Sequence, residues 1–169
     1  MAGYTFQSLN LRPEIGGNSY ALDLEGTSIL LDAGMHPKED GADALPRYQE
    51  LPYDSADAII ISHSHLDHIG TLPVAQRDHP SAPVYLTAPC AALGDALLHN
   101  SVNVMTSQRD ELGISEYPLY HHREIDYLQD RWMVRHYEKP FPVDPLGACG
   151  TEITFFDAGH ILGCLLYTS

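Results

Sequence analysis

The sequence has 169 residues, is 44% hydrophobic and carries a formal net charge of −14 at pH 7. Its length and apolar content predict one folded domain with a buried core and argue against a disordered chain. The negative charge argues against a general polyanion-binding surface, although bound metal ions would still make a local cationic site. No apolar run reaches the roughly 18–20 residues of a membrane span, and no signal peptide is evident, so we expect a cytoplasmic protein.

We predict that the first third of the chain forms strands joined by tight turns. The pairs Gly16-Gly17 and Glu25-Gly26 mark turns between short apolar segments. The predicted strands are Tyr4–Leu9, Tyr20–Leu24 and Ser28–Asp32. A short helix is predicted over Ala42–Leu51.

The rest of the chain alternates between predicted strands and helices. Ala56–Ser62 is rich in β-branched residues without alternation, which predicts a strand buried on both faces. After it we expect helix Gly70–Gln76, strand Pro83–Thr87, helix Pro89–Asn100, an amphipathic helix over His122–His136, an edge segment Phe141–Pro145 and strand Glu152–Phe156. This alternation predicts an α/β layered domain.

Metal ligation is indicated by histidine usage, whereas a disulfide framework is not indicated. Ten histidines are present, and the three cysteines, Cys90, Cys149 and Cys164, are odd in number and widely spaced. Such cysteines predict reduced thiols. A high histidine count makes a metal site worth testing.

The segment HSHLDH directly follows the predicted buried strand Ala56–Ser62 and concentrates four metal-binding side chains. His63 and His65 lie two apart, so both rings would point to one side of an extended segment. Asp67 and His68 follow as the chain turns into a helix, where they can face a second nearby point. Imidazole nitrogens and carboxylate oxygens bind zinc, and two ligand groups on one loop suggest two metals about 3.5–4 Å apart. The alternative, solvated surface histidines, does not account for four metal-binding residues among six directly after a buried strand. A histidine-rich tract without a fold does not account for the packing residues Leu66, within the segment, and Ile69, directly after it.

HSHLDH matches the HxHxDH signature of the metallo-β-lactamase fold, and the chain resembles that family along nearly its whole length. LLDAG, which contains Asp32, and AGHILG, which contains His160, resemble two further motifs of the fold. The flanking segments resemble the β-CASP branch of RNA-processing nucleases related to ribonuclease J and the cleavage-and-polyadenylation endonuclease. The resemblance implies that residues 1–169 form the N-terminal portion of a four-layer αβ/βα sandwich.

The resemblance also implies a role for each motif residue. His63, His65 and His160 would bind one zinc ion, and Asp67 and His68 would bind a second. Asp32 would orient a ligand histidine, and Asp67 would also orient or deprotonate the attacking water. Taken alone, Asp32 is equally well interpreted as a polar residue at a strand end, and His160 as an ordinary loop residue.

The function implied is zinc-dependent hydrolysis of RNA phosphodiester bonds through a metal-activated water. Alternatives are a hydrolase of the same fold that acts on a thioester, a lactone or a β-lactam, a relative that uses iron, or a non-catalytic scaffold subunit of an RNA-processing complex. RNA is the expected partner, no membrane is expected, and a homodimer is a candidate assembly.

Parts of the family pattern are not found in the sequence. A bridging aspartate and a late histidine ligand have no counterpart here, and neither does the β-CASP insertion. We therefore expect the 169-residue chain to be an inactive N-terminal fragment, with Cys164–Ser169 as an artefact of truncation. The pair His121-His122 is interpreted as a solvated helix start or as the lining of a substrate path, and His99 has no assigned role. Trp132 and several tyrosines either pack in the core or stack on bases.

Overall fold

A computed structural model describes residues 3–12, 16–143 and 150–168 of the chain. These residues contain nine strands and four α-helices. The strands are β1 (Tyr4–Ser8), β2 (Tyr20–Leu24), β3 (Thr27–Leu31), β4 (Ala58–Ile60), β5 (Val84–Leu86), β6 (Trp132–Val134), β7 (Phe141–Pro142), β8 (Glu152–Asp157) and β9 (Leu165–Thr168). The helices are α1 (Leu66–Ile69), α2 (Leu72–Asp78), α3 (Ala88–Leu112) and α4 (His122–Gln129).

The strands form two sheets. Strands β1 to β6 lie in sequence order in the first sheet, which is antiparallel from β1 to β3 and parallel from β3 to β6. Strands β7, β8 and β9 form a smaller antiparallel sheet. The mixed α/β architecture that the sequence predicts is therefore present.

The first sheet has a core on each of its faces. Ile59 of β4 packs into the cluster that includes helix residues such as Ile69 and Leu98, while Ile60 packs into the cluster that includes Phe155 of the second sheet. Both isoleucines are completely buried. This two-sided burial explains why the segment lacks hydrophobic alternation, because each successive side chain enters one apolar layer or the other.

The helix predicted over Ala42–Leu51 is wrong. Two short 3₁₀ turns, Gly41–Ala44 and Tyr48–Glu50, occupy this segment instead. Between them Leu45 adopts an extended conformation, with ψ of 143°. The cause is Pro46, which disfavours a helical conformation in the residue before it and has no N–H to donate.

Helix α3 is longer than predicted, because it continues through Asn100 to Leu112. Ser101, Val102 and Met105 are buried on the face of this continuation that packs against the core. The helix ends where Gly113 adopts a left-handed conformation, with φ of 73°. No helix in the described ranges is both long and apolar enough to cross a membrane.

The predicted helix His122–His136 is correct only in its first half. Helix α4 ends at Gln129, and Trp132–Val134 forms strand β6, which pairs in parallel with β5. The spacing of Ile125, Leu128 and Trp132 fits a helix. Trp132 instead lies in β6, where its Nε1 donates to Gln76 Oε1 at 3.2 Å. Tertiary pairing with the sheet edge therefore overrides the local pattern.

The remaining segments differ from prediction mainly in their ends. The predicted edge segment Phe141–Pro145 contains the short strand β7, and its last two residues lie outside the described residues. Cys90 and Cys164 are free and buried, as reduced thiols would be, whereas Cys149 also lies outside the described residues.

Tyr120 ties the segment between α3 and α4 to the end of the HSHLDH segment. Its fully buried hydroxyl donates to the carbonyl of Gly70, which caps α1, at 2.9 Å. Tyr120→Phe should lower the free energy of unfolding by about 1 kcal/mol, because it leaves a buried carbonyl without this donor. Urea denaturation measures the change. Tyr53→Phe is the control, since Tyr53 is 74% exposed, and an equal loss in both variants would contradict the prediction.

Candidate metal centre

The HSHLDH segment runs from the loop after β4 into helix α1, at the carboxyl end of a central strand. His63 is buried, whereas His65 is exposed and precedes the first residue of α1. His63 Nε2 lies 3.2 Å from His65 Nδ1. The two nitrogens thus face one another at the edge of the sheet, as the alternation along the loop predicts.

The third histidine of the cluster comes from the second sheet. His160 lies in the loop between β8 and β9, and its ring centroid is 5.1 Å from that of His63 and 5.2 Å from that of His65. Ligand atoms of the three side chains all lie within 4.8 Å of one another. Three converging imidazole nitrogens suit a transition metal such as zinc and leave a fourth coordination position for water.

Asp32 lies behind the histidines and bonds to two neighbouring side chains. Its Oδ1 accepts a hydrogen bond from the backbone N–H of Ser62 at 2.7 Å, and its Oδ2 accepts one from Ser62 Oγ at 2.8 Å. Oδ2 also lies 2.7 Å from His68 Nδ1. Asp32 has a φ of 58°, a left-handed conformation that aspartate tolerates better than most residues. The carboxylate is thus placed to fix the orientation of the His68 ring.

Asp67 and His68 lie against the histidine cluster as a second pair. His68 Nε2 is 3.6 Å from Asp67 Oδ2, and the ring centroids of His68 and His63 are 4.0 Å apart. The side-chain amide of Asn18 lies 3.2 Å from His68 Nε2 and donates to the backbone carbonyl of Asp67 at 3.0 Å. The five predicted ligands therefore occupy one region, with three at one point and two beside them.

Burial and neighbouring charges shift the pKa values of His63 and His68 in opposite directions. Burial, together with the neighbouring His68, lowers the pKa of His63 to about 4, so the ring is neutral and able to ligate a metal near pH 7. Burial also acts to lower the pKa of His68. The hydrogen bond to Asp32 and the charges of Asp32 and Asp67 outweigh this effect, so the pKa of His68 is raised.

The sequence from residue 21 to residue 168 matches the family described as the metallo-beta-lactamase superfamily domain. The chain belongs to the metallo-β-lactamase superfamily. The resemblance drawn from LLDAG, HSHLDH and AGHILG is therefore confirmed, and with it the fold class. Proteins of this fold bind metal, and the histidine cluster of this chain has the composition to do so.

Curated relatives of this metallo-β-lactamase domain include fungal endoribonucleases. The chain is 35% identical to endoribonuclease YSH1 of Kluyveromyces lactis over 165 residues and 32% identical to that of Saccharomyces cerevisiae over 167 residues. These matches cover 96% and 97% of this chain but 21% of each relative, so the chain spans about a fifth of their length. The names agree with the predicted resemblance to RNA-processing nucleases.

A solved structure shares the fold at low sequence identity. The flavodiiron protein from Giardia intestinalis superposes with a TM-score of 0.54 and 14% identity, over 89% of this chain and 29% of that protein. At this identity the likeness shows a common fold and nothing about substrate.

Two further residues of the metallo-β-lactamase domain contact the candidate ligands, and the sequence did not predict a role for either. Ser62 joins Asp32 to the histidines, since its Oγ lies 3.0 Å from His63 Nδ1. Asn18 contacts both Asp67 and His68. Ser62 directly precedes the HSHLDH segment, but Asn18 carries no signal of its own beyond the two glycines before it.

Gly34 allows the two segments that carry Asp32 and Asp67 to come together. A Cβ at residue 34 would lie 1.8 Å from the backbone carbonyl oxygen of Asp67. We expect Gly34→Ala to lower the free energy of unfolding by about 3 kcal/mol or more, because backbone must shift to relieve the overlap. Thermal unfolding measures the loss. Gly3→Ala is the control, since a Cβ there meets nothing within 4 Å, and a stable Gly34→Ala protein would show that this packing is wrong.

A cavity of about 680 Å³ opens beside the histidines. His65 and Asp67 line it, together with residues of the loop after β3 and of helix α3. Its apolar lining includes Met35, Leu66, Leu97, Val104, Met105 and Tyr117. Space for a substrate is therefore present next to the candidate ligands.

The other residues weighed from the sequence are placed away from the ligands. His121 caps helix α4 together with Glu124, whose carboxylate accepts from the His121 backbone N–H at 2.9 Å. This agrees with the interpretation of a helix start. Trp132 and Tyr120 pack in the core, which favours packing over base stacking for these two residues. Tyr117 also packs in the core but lines the cavity beside the histidines.

Proposed function

We propose that this chain carries the zinc-binding residues of a nuclease that hydrolyses RNA phosphodiester bonds. The observation that carries the proposal is a histidine cluster with ligand atoms within 4.8 Å, found in a chain 35% identical over 96% of its length to an endoribonuclease. Relatives named for RNA cleavage favour RNA over a thioester or lactone. The presence of every ligand in the HSHLDH segment favours an enzyme over a scaffold subunit.

His63, His65 and His160 are proposed to bind the first zinc ion, and Asp67 and His68 the second. Zinc suits this donor set because it accepts imidazole nitrogen and carboxylate oxygen and does not change oxidation state. When bound, zinc lowers the pKa of coordinated water from about 15.7 towards about 7 and so supplies the nucleophile for hydrolysis near neutral pH.

The surrounding residues are proposed to position these ligands. Asp32 accepts from His68 Nδ1, so the lone pair of that ring lies on Nε2, beside Asp67 and the amide of Asn18, where it would face a metal. Ser62 holds Asp32 through two hydrogen bonds and also contacts His63. Asp67, which lines the adjacent cavity, is the side chain placed to orient water or accept its proton.

The negative charge of the chain is compatible with an RNA substrate at this site. Bound divalent ions would be the largest local charges and would offset the carboxylates around them. The cavity beside His65 offers an apolar wall for a base next to the phosphate that is cleaved.

Cleavage assays test the proposal directly. The product of the complete open reading frame, loaded with zinc, is incubated with single-stranded RNA and, in parallel, with a thioester. Zinc-dependent RNA cleavage that a chelator abolishes is the expected result. Thioester hydrolysis without RNA cleavage would overturn the proposal in favour of a small-molecule hydrolase, and activity that survives complete removal of metal would overturn the role of the histidines.

Several expectations from the sequence stay predictions. They include the cytoplasmic location, the homodimer, the assignment of residues 1–169 to the N-terminal portion of the domain, the inactivity of the 169-residue chain, the artefact at Cys164–Ser169 and the roles of the individual site residues.

A further inference from the structure

Asn18 reaches the second pair of candidate ligands from the segment just before β2. Its backbone N–H donates to the carbonyl of Asp67 at 2.9 Å, and its own carbonyl accepts from the Gly34 N–H at 2.9 Å. Its side-chain Nδ2 lies 3.0 Å from the same Asp67 carbonyl oxygen and 3.2 Å from His68 Nε2. The amide group of Asn18 is therefore held directly against the nitrogen that is proposed to bind zinc.

A chain of hydrogen bonds fixes which end of the Asn18 amide faces the ligands. The backbone N–H of Ser19 can only donate, and it donates to Asn10 Oδ1 at 2.9 Å. Asn10 therefore presents its NH₂ group to the Tyr20 hydroxyl, 3.3 Å away. That hydroxyl accepts from Asn10 and is left to donate its own proton to Asn18 Oδ1, also at 3.3 Å. Asn18 then turns its NH₂ group towards Asp67, whose backbone carbonyl can only accept.

This orientation of the amide selects one tautomer of the neutral His68 ring. An NH₂ group can only donate, so Nε2 of His68 has to accept from Asn18. The ring proton then resides on Nδ1, which donates to Asp32 Oδ2 at 2.7 Å. Asn18 and Asp32 thus contact opposite nitrogens of the ring and favour the same tautomer. Its lone pair lies on Nε2, as in a metal-binding histidine whose other N–H is held by a carboxylate.

From this geometry we propose that Asn18 is a positioning residue for the second zinc ion. It holds the Nε2 lone pair of His68 and the backbone of Asp67 in place before an ion is bound. Asp67 Oδ2 lies 3.5 Å from Nδ2 of Asn18 and is the acceptor to which the N–H can turn when zinc takes the lone pair. This role rests on the proposed function, because it takes Asp67 and His68 as ligands of the second zinc.

Asn18→Ala removes the amide but keeps both backbone hydrogen bonds of residue 18, so the segment before β2 should stay in place. We expect the product of the complete open reading frame carrying this change to bind its second zinc ion about 10–100-fold more weakly. Affinity for the first ion should be unchanged, since the amide contacts the second pair of ligands. Competition with a chromophoric chelator measures both affinities. Asn103→Ala is the matched control, because it makes the same change at an exposed position of α3.

Tyr20→Phe tests the orientation of the amide separately from its presence. This variant keeps the ring that stacks on Phe6 and removes only the hydroxyl that donates to Asn18 Oδ1. Affinity for the second zinc ion should fall measurably but by less than about tenfold, because the amide remains and is free to rotate. If Asn18 acted by packing alone, Tyr20→Phe would leave the affinity unchanged, and this result would overturn the role of the hydrogen-bond chain.

Nitrogen chemical shifts of the His68 ring test the same role without any variant, so they decide the matter even if Asn18→Ala does not fold. In the metal-free 169-residue chain, at a pH where the ring is neutral, they should show the Nδ1–H tautomer. A double-mutant cycle gives a second readout, because two residues that act through one ring have non-additive effects. Asn18→Ala should therefore weaken binding less in the Asp32→Asn protein, where the ring proton has already moved to Nε2.

Three results would overturn the positioning role and leave the proposed zinc site intact. They are a predominant Nε2–H tautomer of His68 in the unmodified chain, equal second-zinc affinity in the Asn18→Ala and Asn103→Ala proteins, and strictly additive effects of Asn18→Ala and Asp32→Asn. Failure of the unmodified product to bind a second zinc ion would instead overturn the site and the role together. None of these measurements depends on RNA cleavage.

Discussion

His65→Ala should weaken zinc binding at the candidate metal centre by more than about 100-fold, beyond the 10–100-fold typical of losing an outer-shell partner. The variant removes one of three imidazoles whose ligand atoms lie within 4.8 Å. The fold should be unaffected, since His65 is exposed and its side chain makes no capping hydrogen bond to α1. RNA cleavage by the product of the complete open reading frame should be lost together with the metal.

Equilibrium dialysis followed by metal analysis measures the loss, and circular dichroism checks that the fold is retained. His136→Ala is the matched control, because it removes an exposed histidine outside the cluster. The ligand assignment would be wrong if His65→Ala and His136→Ala bound zinc equally well. Loss of cleavage with full retention of zinc would instead give His65 a role other than ligation.

Asp32→Asn should lower metal affinity about 10–100-fold with only a modest loss of stability, about 1–3 kcal/mol. The asparagine carbonyl can still accept from the Ser62 N–H, but an amide NH₂ then takes the place of the oxygen that faces His68 Nδ1. His68 must present a lone pair at Nδ1 to accept from it, so its proton moves to Nε2. That nitrogen faces Asp67 and is the proposed ligand atom, so the variant acts on the tautomer rather than on the fold.

Competition with a chromophoric chelator measures the affinity, and nitrogen chemical shifts of the His68 ring report the tautomer. Asp57→Asn makes the same chemical change at an exposed carboxylate that accepts from the N–H of Ser28 at 2.8 Å. It should leave metal affinity unchanged. If Asp32→Asn bound metal as the unmodified chain does, orientation through the carboxylate would be excluded.

The accuracy of the sequence predictions depends on how local each signal is. The strand around Ile60 is correctly predicted because its side chains enter two apolar layers, which leaves a continuous hydrophobic run. The HSHLDH segment is equally local, since four candidate ligands come from six consecutive residues. In contrast, Trp132 has a spacing that suits a helix, and only pairing with β5 makes it part of a strand.

Non-local contacts account for what the sequence does not reveal at the site. Asn18 contacts His68 from a different segment, and the two meet because Gly34 lets that segment approach Asp67 closely. The contact of His99 Nε2 with Asp126 Oδ1, at 3.5 Å, likewise depends on how helices α3 and α4 pack. Pairs of this kind are recognised once both partners are known to be on adjoining faces.

The position of His160 has a consequence for how the two sheets hold together. His63 and His65 follow β4 of the first sheet, whereas His160 is carried by the loop after β8 of the second sheet. The two layers already meet through apolar packing and hydrogen bonds, such as the one from the Leu165 N–H to the Ser62 carbonyl at 3.0 Å. An ion held by all three histidines would add a further link between them, so metal affinity and sheet docking are thermodynamically linked. Saturating zinc should therefore slow hydrogen exchange of the β8 amides. Conversely, any variant that loosens the packing of Phe155, a β8 residue in the core between the two sheets, should weaken metal binding.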